Sequence, residues 1–124
     1  MAKRRILIID DEAPFTRLVR AFLEGTGAFE VREENAAARA LAAARQFRPD
    51  LILLDVVMPD LSGAEVAAQL DADGDLARVP IVFLTAAVSK GVADHGDALA
   101  GRARLGKPVS LERVLETIRE QLGS

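Results

Sequence analysis

The chain has 124 residues, half of them hydrophobic, none of them cysteine, with sixteen basic and nineteen acidic side chains for a net charge of −3. That balance excludes a broad basic surface for nucleic acid or an anionic membrane, and the lack of cysteine excludes disulfides, thiolate metal sites and thiol nucleophiles. With a mean hydropathy of +0.16, the length suits one compact domain rather than a disordered chain.

The basic opening Lys3-Arg4-Arg5 is followed by an apolar run, Ile6 to Ile9, that stops at Asp10-Asp11 and is too short for a signal peptide. No apolar run approaches the ~20 residues of a membrane span. Ile6-Leu7-Ile8-Ile9 instead reads as a buried strand. Phe15, Leu18, Val19, Phe22 and Leu23 then recur at helical spacing, with Pro14 in the first turn and Gly25 as the stop. Ala28 to Arg32 alternates apolar and polar residues, as an edge strand does. The Ala-rich stretch Ala36 to Ala44 reads as a helix capped by Asn35 and followed by Pro49, with Arg39, Arg45 and Arg48 on a solvated face.

A second continuous apolar run, Leu51 to Leu54, precedes a helix that carries Val66 and Leu70 and is capped by Ser62. Asp71 to Asp75 fails as a Ca2+ loop, because its Gly falls at the fourth position and Val82 stands at the twelfth; it reads as a solvated loop. Ile81 to Leu84 is the third apolar run. Ser89 to Ala100 is the weakest helix, since Gly91 and Gly96 each cost about 1 kcal/mol against Ala, and His95 within it has no metal partner in sequence. Arg102 to Leu105 alternates like a second edge strand. Leu111, Val114, Leu115, Ile118 and Leu122 form the last helix, capped by Ser110, with Arg113 where a capping box would want Glu. Continuous apolar strands are covered on both faces. Five alternations of strand and helix therefore predict a doubly wound α/β sandwich with a parallel sheet.

The polar residues fall at one place in such a fold. Asp10 and Asp11 follow the first strand, Asp55 the third, Thr85 the fourth and Lys107 the fifth. In a parallel sheet those carboxyl ends share one rim, where ligand sites form. Carboxylates gathered there repel one another, so either some are protonated or a hard cation joins them; oxygen donors suit Mg2+. Lys107 adds a point charge and Thr85 a hydroxyl, both fitted to phosphoryl oxygens. Asp55, on the middle strand, is the carboxylate placed to attack phosphorus and form an acyl phosphate.

These residues are the ones by which the chain resembles the response-regulator receiver domain of bacterial two-component signalling, the CheY-like family. The resemblance rests on Asp10-Asp11 after Ile6 to Ile9 and on Asp55-Val56-Val57-Met58-Pro59-Asp60-Leu61-Ser62-Gly63. It rests also on Phe83-Leu84-Thr85-Ala86 and on Lys107-Pro108. It spans essentially the whole chain and implies a flavodoxin-like three-layer sandwich with a five-stranded sheet in the order 2-1-3-4-5. It further implies that residues 1–124 are one receiver domain without an output domain, acting as a cytoplasmic signalling switch rather than a general enzyme. Asp55 would be phosphorylated by a histidine kinase or phosphotransfer protein. Mg2+ would be held by Asp11, Asp55 and the backbone carbonyl of Val57, with Asp10 acting through water. Lys107-Pro108 would be a cis peptide. A downstream target protein would dock around Pro108, Arg102, Arg104 and Arg113, with the chain a monomer or a phosphorylation-linked dimer.

One departure from the family pattern, and one pair of residues beside the rim, carry expectations of their own. Arg104 stands where the family usually has an aromatic residue that swings inward with Thr85, so another element would have to report the switch. Val57 and Ala87 cannot hydrogen-bond an attacking water, which predicts slow loss of the phosphoryl group. Other functions fit less well. A pseudo-receiver that binds partners without phosphorylation would not need the full set of Asp10, Asp11, Asp55, Thr85 and Lys107. An Asp-nucleophile phosphatase would want Asp-x-Asp where this chain reads Asp10-Asp11-Glu12. A flavin protein would want a neutral phosphate loop there and an aromatic to stack on, and the chain has neither Trp nor Tyr.

Overall fold

A computed structural model describes residues 2–85 and 101–123. The expected helix at Ser89–Ala100, with Gly91, His95 and Gly96, lies outside the described residues, as do Ala86 and Ala87.

Five strands form one parallel sheet: β1 (Arg4–Ile9), β2 (Phe29–Glu34), β3 (Leu51–Asp55), β4 (Ile81–Thr85) and β5 (Arg104–Gly106), in the order β2-β1-β3-β4-β5. The doubly wound sheet and its order are those expected. The three central strands are buried along their apolar runs, and successive side chains feed opposite layers. Leu7, Ile9, Ile52, Leu54, Ile81 and Phe83 pack under helices α2 (Ala40–Phe47) and α3 (Gly63–Ala72). Ile6, Ile8, Leu51, Leu53, Val82 and Leu84 pack under α1 (Ala13–Gly25) and α4 (Leu111–Leu122). Burial on both faces is the physical reason these runs do not alternate. The edge strand β2 does alternate, with Phe29 and Val31 inward and Glu30 outward.

Local sequence sets the helix ends. Pro14 sits in the first turn of α1, where its missing N–H costs nothing. The chain leaves that helix through Thr26 and turns at Gly27, whose φ of 82° only glycine adopts freely. Ser62 caps α3 as expected and forms a capping box with Glu65, while Ser110 accepts the Arg113 N–H at the start of α4. The Ala-rich segment departs from expectation. Ala37–Arg39 forms a 3-10 turn, α2 begins only at Ala40, and neither start has a side-chain cap. Asn35 is drawn away from capping because its amide donates to the Asp10 carbonyl (2.8 Å) and to Thr16 Oγ1 (3.0 Å).

Two surface readings change as well. Arg39 and Arg45 lie on an exposed helix face but are paired, with Glu34 at 3.3 Å and Asp73 at 2.8 Å. Asp71 belongs to α3, and Asp73 is structural: its carboxylate accepts the N–H groups of Asp75 and Leu76 as well as Arg45. Among the described residues no helix is long and apolar enough to cross a membrane.

Candidate functional site

Strand register assembles the site. Ile9 pairs with Leu54, so Asp10 and Asp55, each one residue further on, stand side by side. Both continue the alternation of Ile6, Ile8, Leu51 and Leu53, which sends their side chains toward the α1 and α4 layer. Thr85 pairs with Gly106, which leaves Lys107 one step past the rim; its N–H donates to the Thr85 carbonyl at 2.6 Å. The Lys107-Pro108 peptide is cis, as expected.

Carboxylate oxygens of Asp10, Asp11 and Asp55 all lie within 4.8 Å of one another. Asp10 is fully buried and tightly held: its Oδ1 accepts the Glu12 N–H at 2.9 Å and its Oδ2 accepts the Lys107 ammonium at 2.6 Å. Lys107 also donates to Glu12 Oε1 at 2.9 Å and stands 3.6 Å from Asp55 Oδ1. The Asp55 side chain is only 6 % exposed; its Oδ1 accepts the Val57 N–H at 3.4 Å, while Asp11 and Val57 beside it are exposed. Behind Asp55, a Cβ on Gly63 would strike the Asp55 carbonyl oxygen and come within 2.8 Å of Val56 Cα. Glycine is required there for α3 to start so close to the β3 terminus.

Electrostatics mark Asp55 as the unsettled member. Burial, and next the neighbouring Asp10 charge, push its carboxyl up to about 7 from 3.8, against the opposing pull of Lys107 and the Val57 N–H. Burial disfavours the Lys107 ammonium, but its bonds to Asp10 and Glu12 prevail and push it up to about 12. A crowded set of oxygen donors, one of them reluctant to ionise, is the set a hard divalent cation relieves. The residues present therefore fit Mg2+, with Asp11 and Asp55 as the available carboxylates and the Val57 carbonyl in the adjacent loop.

The expected residues thus converge at one rim: Asp10, Asp11, Asp55 and Lys107 in direct proximity, Thr85 at the next strand end, Val57 in the loop. The face expected to dock a target is less uniform. Arg104 is exposed on β5, Arg102 donates to Asp71 at 2.6 Å, and Arg113 reaches Glu120 at 3.8 Å. Pro108 lines an apolar groove of about 500 Å³ with Phe15, Leu18, Val109 and Leu111, and Glu12 and Lys107 of the rim line it too. Glu12 and Phe15 are the site residues sequence reasoning missed. Helical spacing alone places Phe15 on the apolar face of α1, yet the Lys107 ammonium lies 5.0 Å from its ring centre. The signal for Glu12 was the third acid of Asp10-Asp11-Glu12.

Comparison with known proteins identifies the family and the fold. The sequence model of the response regulator receiver domain matches residues 6–119. The chain belongs to that family. The receiver domain is 35 % identical over 120 residues to the polar-differentiation response regulator DivK of Brucella anthropi, covering 97 % of each chain. It superimposes on the Vibrio cholerae chemotaxis protein CheY4 with a TM-score of 0.86 at 29 % identity, over 96 % of this chain and 98 % of that one. With the receiver domain of a Pseudomonas aeruginosa sensor histidine kinase the TM-score is 0.85 at 29 % identity, over 99 % and 100 % of the two chains. That structure has a magnesium ion coordinated in its active site cleft. Receiver domains are signalling switches that interact with histidine kinases or phosphotransfer proteins and with downstream targets.

Proposed function

We propose that this receiver domain accepts a phosphoryl group on Asp55 from the phosphohistidine of a kinase or phosphotransfer protein, and that the modified rim alters binding to a downstream protein. The observation that carries the reading is the setting of Asp55: carboxylate oxygens of Asp10 and Asp11 within 4.8 Å and the Lys107 ammonium, itself held by Asp10, 3.6 Å away. An Asp55 oxygen attacks phosphorus, the bond from phosphorus to the donor nitrogen breaks, and the imidazole leaves with that electron pair. Lys107 and Thr85 bind the phosphoryl oxygens, the first by charge and the second by its hydroxyl. Asp11, Asp55 and the Val57 carbonyl would hold Mg2+, with Asp10 acting through water. When bound, that ion would supply charge neutralisation for the incoming phosphoryl group. Asp10 has a second task in this reading, since its buried carboxylate anchors both Lys107 and the Glu12 N–H.

The test is incubation with acetyl phosphate and Mg2+, followed by intact mass measurement of the wild type and Asp55→Asn. The reading predicts one phosphoryl group on the wild type, none on the variant, and none on the wild type once a chelator removes the metal. Absence of any gain on the wild type would favour a phosphorylation-independent interaction module instead.

A further inference from the structure

The first turn of α1 closes over Lys107. The ammonium donates to Asp10 at 2.6 Å and to Glu12 at 2.9 Å and faces the Phe15 ring at 5.0 Å, while Asp55 Oδ1 at 3.6 Å is beyond hydrogen-bond reach. Glu12 occupies the N-cap position of α1 but makes no side-chain capping bond; the Phe15 and Thr16 N–H groups go to its backbone carbonyl instead. Its carboxylate is thereby committed to Lys107.

The two carboxylates that hold Lys107 are not equivalent. Asp10 is fully buried and also fixed by the Glu12 N–H, whereas the Glu12 side chain is 62 % exposed. An ion pair in water is weak, so of the two carboxylates Glu12 holds Lys107 less firmly. We infer that Glu12 is a positioning residue acting through Lys107: it holds the ammonium on the α1 side of the cleft and competes for it with a phosphoryl group on Asp55. This rests on the proposal that Asp55 accepts that group. Glu12 then sets how readily the site takes up phosphorus without touching the reacting atoms.

A double-mutant cycle tests it, with Asp55 phosphorylation by acetyl phosphate and Mg2+ followed by intact mass at fixed ionic strength. Glu12→Gln removes the competing charge while keeping an acceptor, and it accelerates phosphoryl gain roughly two- to fivefold, the range an exposed ion pair spans. In a Lys107→Met background the same substitution leaves the rate of that slower protein unchanged. A role limited to stability would shift the unfolding midpoint without creating this difference. Equal rates for wild type and Glu12→Gln overturn the inference. Equal acceleration with and without Lys107 also overturns it, because Glu12 would then act by repelling the anionic donor. A wild type that gains no phosphoryl group overturns the underlying proposal as well, which separates the two failures.

Discussion

Asp55 illustrates how one buried side chain couples stability to function. Its carboxyl, raised to about 7 by burial and by Asp10, keeps in the metal-free folded chain a proton that the unfolded chain releases near pH 4. Across that window the folded state binds more protons, so stability falls as pH rises from about 4 to 7, by a few kcal/mol at most. Asp55→Asn removes the titration. In chelator the variant is therefore more stable than the wild type at pH 8 and loses that advantage at pH 5, as read by urea denaturation; an advantage independent of pH would contradict this origin. Gly63 makes a second residue-scale case. Its backbone lies against Asp55 and Val56 and its N–H donates to the Val56 carbonyl at 2.8 Å, so a methyl group has no room. Gly63→Ala destabilises by about 2 kcal/mol or more. A denaturation midpoint equal to wild type would show that the loop yields.

Among the elements, the loop after β1 depends on residues far from it in sequence. Asn35 joins the end of β2 to the Asp10 carbonyl and to Thr16 in α1, and the Asp10 N–H donates to the Glu34 carbonyl at 3.1 Å. Asn35→Ala breaks both side-chain bonds, costing about 1–2 kcal/mol, and loosens the loop that carries Asp10 and Asp11. Calorimetric titration then reads weaker Mg2+ binding; unchanged affinity would mean that the β2 and α1 backbones alone fix the loop. Sequence could not reveal this role. An Asn ahead of an apolar helix looks like a cap, and the competing partners lie nineteen and twenty-five residues away. Ser62 and Ser110, whose partners are three residues on, were readable for that reason.

Across the whole molecule, three continuous apolar runs were enough to specify a covered parallel sheet, because only burial on both faces makes such runs favourable. Asp10, Asp11, Asp55, Thr85 and Lys107 were legible through their positions at or just past strand ends, which the topology brings to one rim. Phe15 was not, and Glu12 only as a third acid beside Asp10-Asp11, since their part depends on Lys107 lying against the start of α1. The account's central claim is that this rim carries phosphorus on the middle strand. Its most direct test is borohydride trapping after acetyl phosphate and Mg2+ treatment, which reduces an aspartyl phosphate to homoserine, followed by peptide mass mapping. The account predicts homoserine at position 55 alone; reduction at Asp10 or Asp11, or at no aspartate in a chain that has gained the phosphoryl mass, would contradict it.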